Sequence, residues 1–430
     1  MKIALVNPAW RFENSIYFGC RAPHLPIELG AAKALLEKDG HDARMFDGLL
    51  DGLDAAGLAS AVRDFAPDMT VVTTAPTYLF WRCAPPELRA PREFLDALGH
   101  DGGLTVAIGP HGSVTPAAAL RKLGVDIIVR GESEEVLTRI ASTQDRASVP
   151  SIAFLKNNDV VVTGPPAATR FIDLPAIRWP DAWIARHDHH HHRYGTESFG
   201  PGAEVEASRG CPYSCSFCAK LDYRDKYRKR DLNIVLEEID ALQAQGVRYI
   251  YFIDEIFLPQ RPLLEALVGR GLAFGVQTRI DLWKPDMLDL LGEAGCVSIE
   301  AGVESLTEEG RASLDKLCRM TTDELAERLI HARKRVPFVQ ANLIKTAQDE
   351  QALVDQWREK LQAAGVWAND PVPLYPYPSS PDYHKLFGAP DDQAWERAHE
   401  HYLRQFDRFS DIQDERPAPL RELVAACNCR

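Results

Sequence analysis

Segments typical of strands and segments typical of helices alternate along most of this chain, and this alternation strongly limits its fold. The run KIALV is strand-like, residues 29–36 are helical in pattern and end near Gly40, and residues 41–46 begin a second extended run. The series continues with one helix and three strands, over 55–65, 69–74, 105–108 and 126–129. Because strands joined through helices lie parallel, residues 1–140 are expected to form a Rossmann-like, doubly wound α/β domain.

The second half of the chain repeats the alternation. Its predicted strands cover 204–207, 249–253, 274–278, 297–301, 339–343 and 366–374, with helical patterns near 232–245, 262–270, 285–294, 321–336 and 350–364. Six such units predict an open, partial (β/α)6 barrel over residues 201–375, with its active site at the carboxyl ends of the strands. A linker with a hairpin is expected over 141–200, and a small helical extension over 376–430.

Composition narrows the classes of function. Of the 430 residues, 45% are hydrophobic and 26% charged, and no apolar run approaches the ~18 residues of a membrane span. The amino-terminal MKIALVNPAW reads as a strand rather than a signal peptide, which predicts a soluble, cytoplasmic protein without a membrane partner. A net charge of −13 without a basic block argues against a nucleic-acid partner and favours a small-molecule substrate.

Three of the nine cysteines lie in one short loop after the first predicted barrel strand. Cys211, Cys215 and Cys218 form the pattern C-x3-C-x2-C, and reduced thiols this close together indicate metal binding. Three thiolates can hold three irons of a cubane cluster and leave the fourth iron open to another ligand. The alternatives are a zinc site or three buried thiols. Structural zinc is nearly always closed by four ligands, and no fourth Cys or His has a matching spacing.

This loop resembles that of the radical S-adenosylmethionine (SAM) superfamily, in which an aromatic residue usually precedes the last cysteine. Further matches are YFIDE at the second barrel strand, QTR at the third and GCVSIEAGVES over the fourth. The resemblance implies a 4Fe–4S cluster, SAM chelated at the open iron, and its reductive cleavage to a 5′-deoxyadenosyl radical. The SAM-binding residues implied are Phe217, Asp254, Glu255, Arg279, Glu300 and Glu304. For each charged residue the alternative is a salt bridge within the barrel.

The first domain resembles the cobalamin-binding domain of class B radical SAM enzymes. The matching segments are PIELG at 26–30, GPHG at 109–112 and VDIIVRGESE at 125–134. Glycine in the second segment permits close approach of the backbone to a nucleotide tail. The segment DGLLDG at 47–52 imitates a cobalt-ligand motif, but it follows the second strand and is interpreted as a turn. The cobalamin-binding residues expected are Thr74, Thr77, Tyr78, Gly109, Pro110, His111, Gly131 and Glu132.

Three other groups of residues have weaker patterns. Tyr78, Phe80 and Trp81 pack either on the corrin or in the core under a long loop. The histidine run at 187–192 is interpreted as a polar linker, because consecutive residues cannot all face one ion. Cys427 and Cys429 form either part of a disordered tail or a redox pair, a sulfur source or cluster ligands.

The resemblance implies an enzyme that removes hydrogen from a carbon of a small, specialised-metabolite substrate and methylates that carbon from cobalamin, as a C-methyltransferase. An external one-electron reductant, such as flavodoxin or ferredoxin, is expected. The alternative within the family is a rearrangement, cyclisation or sulfur insertion without methyl transfer. A tRNA methylthiotransferase would need three more amino-terminal cysteines, and only Cys20 and Cys83 are present there. A cobalamin sensor or an iron–sulfur electron carrier would not need a complete barrel.

Overall fold

The first sheet is built from five parallel strands. The computed structural model describes residues 1–16, 22–77, 84–188, 200–406 and 416–425. The parallel strands are β1 (Lys2–Asn7), β2 (Asp42–Asp47), β3 (Met69–Thr73), β4 (Leu104–Ile108) and β5 (Ile127–Val129). The helices around them are α1 (Ile27–Lys38), α2 (Ala55–Phe65), α3 (Arg89–Leu98), α4 (Pro110–Val114), α5 (Pro116–Leu123) and α6 (Glu134–Ser142). The strand order begins β2-β1-β3-β4-β5.

Both faces of this sheet are buried. Ile3 and Leu5 of β1 lie in one hydrophobic core with residues of α1, and the alternate residues Ala4 and Val6 lie in another with residues of α2. Successive side chains of a strand point to opposite faces, so a strand that is apolar throughout requires cover on both. The expected doubly wound, Rossmann-like domain is therefore confirmed.

The predicted hairpin consists of β6 (Ile152–Lys156) and β7 (Asp159–Thr163), and it turns at Asn157 and Asn158, which have φ of +53° and +70°. We expected it inside the linker, but β6 pairs antiparallel with β5, so the hairpin extends the first sheet to seven strands. The connection that follows contains α7 (Asp181–Arg186), whose Trp183 donates an indole N–H to Asp51 Oδ1 at 2.6 Å.

The second sheet contains six strands, all parallel, in the order β15-β14-β13-β12-β11-β8. These strands are β8 (Gly202–Val205), β11 (Tyr249–Phe252), β12 (Ala273–Thr278), β13 (Cys296–Glu304), β14 (Phe338–Leu343) and β15 (Trp367–Ala368). A short antiparallel ribbon of β9 (Ser208–Arg209) and β10 (Arg228–Lys229) follows β8. The helices are α8 (Leu232–Ala244), α9 (Arg261–Leu267), α10 (Pro285–Glu293), α11 (Glu308–Ser313), α12 (Thr322–Arg335) and α13 (Gln351–Ala363). The expected six parallel strands are present, with helices in each of the five connections between them.

The carboxyl-terminal extension is helical, as expected, with α14 (Pro381–Phe387), α15 (Ala394–Gln405) and α16 (Leu420–Ala425). It packs against the first domain, because Trp395 donates its indole N–H to Thr115 Oγ1 at 3.1 Å and lies 4.2 Å from His111 between ring centroids. Within the ranges that the structure covers, no helix is long and apolar enough to cross a membrane.

Candidate functional site

The three clustered cysteines lie in the loop that leaves the first barrel strand. Cys211, Cys215 and Cys218 are partly buried thiols. The loop starts at Gly210, which has φ of +80° and whose added Cβ would lie 2.1 Å from the carbonyl oxygen of Lys226. A residue with a side chain could not adopt this conformation here without strain. The glycine thus lets the chain turn from β9 into the cysteine loop.

Two adjacent carboxylates just after β11 accept hydrogen bonds from the segment that leads into this loop. Asp254 Oδ1 accepts the Ala207 N–H at 2.9 Å, and its other oxygen accepts the hydroxyl of Ser208. Glu255 Oε2 accepts the Gly210 N–H at 2.6 Å. Burial raises the pKa of Asp254 well above its ordinary value, which favours the neutral form. Both side chains therefore position the cysteine loop, while their expected contact with SAM stays a prediction.

Arg224 links the loop to the first domain. Its Nη1 donates to Glu206 Oε1 at 2.7 Å and to Glu255 Oε1 at 2.9 Å, and its Nη2 donates to Glu28 Oε1 at 3.2 Å. Glu28 belongs to α1 of the first domain, whereas Glu206 and Glu255 belong to the barrel. Neutralising partners are needed because isolated charges are costly to bury. One buried guanidinium therefore joins the cysteine loop, the barrel and the first domain.

Arg209 makes a second junction of this kind and is fully buried. Its Nη1 donates to Glu132 Oε2 at 3.0 Å and to Glu134 Oε1 at 2.7 Å, both in the first domain, and its Nη2 donates to Glu206 Oε2 at 2.7 Å. Arg228 also pairs with Glu132. The expected cobalamin-binding Glu132 thus has its carboxylate bound to two arginines of the barrel, and any contact with cobalamin stays a prediction.

Two cationic side chains, Arg279 and Lys316, lie close enough to Cys215 to influence its charge. The guanidinium of Arg279 lies 4.1 Å from the centroid of the Tyr213 ring, and its Nη2 donates to Asp281 Oδ2 at 2.8 Å. Lys316 Nζ lies 2.6 Å from Glu304 Oε2. The pKa of the Cys215 thiol is raised, chiefly by burial and also by the charge of Glu304, while the charges of Lys316 and Arg279 oppose this rise. These cations favour the thiolate form that a metal ligand requires.

The other expected SAM residues lie around the same strand ends. Glu300 and Glu304 are both on β13, and Glu300 Oε1 accepts the Tyr251 hydroxyl at 3.4 Å. Glu304 has φ of +64° at a register shift between β13 and β14, which turns its side chain toward Lys316. Phe217 is half-buried beside Cys218. Their roles in SAM binding stay predictions.

At the carboxyl edge of the first sheet the structure brings several expected cobalamin residues together. Thr74 follows β3, is fully buried, and its Oγ1 has no hydrogen-bond partner within the described residues. Gly109 precedes α4 with φ of +124°, a value suited to glycine. Thr77 instead donates its hydroxyl to Glu28 Oε2 at 2.6 Å. Gly131 has φ of +79°, and an added Cβ would lie 2.3 Å from the Ala167 carbonyl oxygen, so it permits the close approach of that backbone.

Pro110 and His111 begin α4, and His111 lines a cavity of about 380 Å³ between the first domain and the carboxyl-terminal extension. Burial lowers the pKa of His111 to about 3, so its imidazole is neutral at physiological pH. Arg89, Arg92 and Lys122 also line this cavity. Its walls combine apolar and cationic groups.

Some expected residues fall outside the described ranges, namely Cys20, Tyr78, Phe80, Trp81, Cys83, His189, His190, His191, His192, Cys427 and Cys429. The DGLLDG segment is a turn, as expected, because Asp47 Oδ1 accepts the N–H groups of Leu49 and Leu50. Sequence reasoning missed Lys316, Arg209 and Arg224, whose roles depend on contacts between distant segments. The two neighbours of Lys316, Asp315 and Leu317, have positive φ of +50° and +54°. Neither is a glycine, so the sequence does not indicate this conformation.

Comparison with known proteins agrees with this architecture. Residues 205–353 match the radical SAM superfamily. The anaerobic magnesium-protoporphyrin IX monomethyl ester cyclase of Cereibacter sphaeroides is 28% identical over 410 residues, which cover 90% of this chain and 64% of that protein. The hopanoid C-3 methylase of Methylococcus capsulatus is 25% identical over 413 residues, which cover 89% of this chain and 72% of that protein.

The structural comparison extends over both domains. The radical SAM methyltransferase TsrM from Kitasatospora setae, solved with cobalamin and a 4Fe–4S cluster bound, superposes with a TM-score of 0.70 and 20% identity. The match covers 88% of this chain and 76% of TsrM. The chain therefore contains a radical SAM domain, and its two domains together have the fold of the cobalamin-dependent radical SAM enzymes.

Proposed function

We propose that this protein is a cobalamin-dependent radical SAM enzyme that methylates a carbon of a small, specialised-metabolite substrate. The observation that carries the proposal is the cysteine loop at the carboxyl end of the first strand of a six-stranded parallel barrel. The chain spans about two thirds of the length of the relatives it matches, and its match with the cyclase covers 64% of that protein. The activity of the whole protein is therefore part of this proposal.

The donor set of the loop fits a 4Fe–4S cluster. Cys211, Cys215 and Cys218 are partly exposed thiols in one loop, and the positive charges of Arg279 and Lys316 act on Cys215. Three soft thiolates suit iron–sulfur clusters, and cationic neighbours offset the negative charge that a thiolate-bound cluster carries. The cysteines would hold the cluster, while Asp254 and Glu255 keep the loop in shape.

Unsatisfied buried groups fit the two other cofactors. Nη1 of Arg279 is buried without a hydrogen-bond partner within the described residues, which suits a carboxylate such as that of SAM. The buried, unpartnered hydroxyl of Thr74 and the backbone at Gly109 suit the polar tail of cobalamin at the carboxyl edge of the first sheet. Arg279 and Glu304 would orient SAM, and Thr74, Gly109 and His111 would hold cobalamin.

When bound, these cofactors supply one-electron cleavage of SAM, a radical that takes hydrogen from carbon, and a methyl group for that carbon. The chain's own residues bind and orient them. Electrons enter from an external one-electron reductant, such as a flavodoxin or ferredoxin.

The test is detection of 5′-deoxyadenosine after reconstitution with iron, sulfide and cobalamin and reduction in the presence of SAM. We expect product with the parent protein and none with Cys218→Ala, while Cys318→Ala, a cysteine outside the loop, keeps the activity. If the parent protein forms no 5′-deoxyadenosine with any substrate, the proposal that it is a radical SAM enzyme is wrong.

A second candidate is a radical cyclisation or rearrangement without methyl transfer. It is favoured by the similarity of the chain to the monomethyl ester cyclase over 410 residues. The two reactions differ in mass, because methylation would add one methyl group to the substrate and would consume a second SAM as methyl donor, which leaves as S-adenosylhomocysteine. Mass spectrometry of the product therefore distinguishes methylation from a cyclisation or rearrangement.

A further inference from the structure

Two histidines and a glutamate that are not part of the cysteine loop form a buried cluster. His24 precedes α1 of the first domain, His187 follows α7 in the linker, and Glu204 lies on β8 of the barrel. Their side chains are 5%, 0% and 0% exposed. Three parts of the chain that are far apart in sequence therefore meet at one point.

The potential ligand atoms of the cluster lie close enough together to bind one metal ion. His24 Nδ1 lies 2.7 Å from Glu204 Oε1, and His187 Nε2 lies 2.7 Å from Glu204 Oε2. All the potential ligand atoms lie within 4.8 Å of one another. The imidazole rings are edge-on, at an interplanar angle of 77°, so they approach the carboxylate from different directions. The Leu25 N–H donates to Glu204 Oε2 at 3.3 Å and helps to hold the carboxylate.

The charge of the cluster also favours a cation. Within the described ranges, the ion-pair partners of Glu204 are these two histidines, with no lysine or arginine. Two neutral imidazoles would leave a buried carboxylate without a countercharge, which is costly. A divalent ion supplies that charge, and two imidazole nitrogens with one carboxylate are ligands that Zn²⁺ accepts.

We propose that His24, His187 and Glu204 bind one divalent transition-metal ion, with Zn²⁺ as the favoured occupant and water in the remaining position. The ion fastens the first domain, the linker and the first barrel strand together. This site is separate from the cysteine loop, whose soft sulfur ligands select a different metal centre. It is also independent of the reaction proposed above.

The test measures zinc in the full-length, cluster-loaded protein under anaerobic conditions, so that the three cysteines are already occupied. The parent for this experiment carries His189→Asn, His190→Asn, His191→Asn and His192→Asn, because a run of histidines binds zinc on its own. After equilibrium dialysis against Zn²⁺ with a competing chelator, we expect one zinc per chain. Glu204→Gln and His24→Gln should each weaken zinc binding by tenfold or more, on the order seen when a ligand set is disturbed.

His331→Gln is the matched control, because His331 pairs with Asp289 at 2.9 Å on the surface and should leave one zinc bound. Iron content and circular dichroism identify any variant that fails to fold, in which case His187→Gln replaces it. Co²⁺ should give a visible ligand-field spectrum in the parent and lose it in Glu204→Gln. A parent that binds no zinc, or equal zinc affinity in the parent and a folded Glu204→Gln, would show a hydrogen-bonded cluster only and overturn the proposal.

Discussion

Glu255 illustrates how a single side chain can serve a metal-binding loop without being a ligand. One of its oxygens accepts the N–H of Gly210, and the other accepts from Arg224. In Glu255→Gln the amide group would face one of these donors and leave Arg224 with less countercharge. Breaking a buried pair in this way costs about 3–5 kcal/mol. We therefore expect a loss of that size in the free energy of unfolding and a fall in iron bound per chain.

Urea unfolding and iron analysis check this prediction. Glu265→Gln is the control, since Glu265 forms an exposed i,i+4 pair with Arg261 and should change stability by less than about 0.5 kcal/mol. Normal iron content and stability in Glu255→Gln would contradict the role of Glu255 in positioning the loop.

Asp47 gives a prediction about pH. Burial raises the pKa of its carboxyl to about 7, well above the usual value of about 4. Between these values the unfolded chain loses the Asp47 proton while the folded chain keeps it, so this group lowers stability as pH rises. The side chain of the Asp47→Asn variant cannot ionise, so the variant does not lose stability in this way as pH rises. From about pH 4.5 to about pH 7.5, we expect the variant to gain roughly 2–4 kcal/mol relative to the parent.

Urea midpoints of the parent and Asp47→Asn at both pH values provide the measurement. Asp54→Asn, which replaces the exposed N-cap residue of α2, is the control for the same chemical change outside a buried environment. A constant difference between Asp47→Asn and the parent would show that Asp47 ionises normally.

The residues most accessible to sequence reasoning were those grouped in one segment. The spacing of Cys211, Cys215 and Cys218 is local, and it was sufficient to predict their loop at the barrel's strand ends. Lys316 and Arg209 gave no local signal, because their functions arise only when distant parts of the chain meet. Glu132 was assigned to cobalamin from its motif, and only the fold shows that Arg209 and Arg228 hold it.

Among the elements, the turn from β9 into the cysteine loop is the most sensitive to substitution. Gly210→Ala would place a Cβ 2.1 Å from the Lys226 carbonyl oxygen at a positive φ. We expect most of the bound iron to be lost, because the loop must move to relieve this contact. Gly246→Ala is the matched control, since Gly246 also has a positive φ but nothing lies within 4 Å of its added Cβ. It should cost only about 1 kcal/mol and keep the iron.

Iron and sulfide analysis of both purified variants tests this prediction. Equal iron content in Gly210→Ala and Gly246→Ala would mean that the loop tolerates a side chain at residue 210.

Predictability also differed between elements. The bounds of α2 were predicted correctly, since its apolar period and its N-cap Asp54 are both local signals. The sixth strand was predicted over 366–374, but β15 covers only Trp367–Ala368. Pro371 and Pro373 lack the N–H groups that a longer ladder would need, and only an isolated bridge joins Val372 to Ile344. The hairpin was recognised, but its pairing with β5 is a long-range contact that its own sequence does not specify.

At the scale of the whole molecule, buried ion pairs hold the two domains together. Arg209 contacts Glu132 and Glu134 in the first domain and Glu206 in the barrel. Arg209→Gln would leave these carboxylates with reduced countercharge, so we expect a loss of about 3–5 kcal/mol. The interface should weaken more than either domain, and calorimetry should then show two separate unfolding transitions.

Arg178→Gln is the control for this experiment, because Arg178 and Glu237 form an exposed pair between the linker and α8, with side chains 52% and 62% exposed. This substitution should change stability by less than about 0.5 kcal/mol. A single, unshifted transition in Arg209→Gln would mean that the ion pairs of Arg209 do not help to join the domains.

The contact of Trp395 with the first domain has a consequence for the order in which the protein matures. Trp395 and its partner Thr115 are 280 positions apart in the chain. At a synthesis rate of about 5–20 residues per second, α5 leaves the ribosome roughly 14–56 seconds before its cover does. During that interval the apolar wall at Ala118 and Ala119 remains open to chaperones and to other nascent chains. The first domain is therefore synthesised first, but its surface at α5 is covered only after the carboxyl-terminal extension has been made.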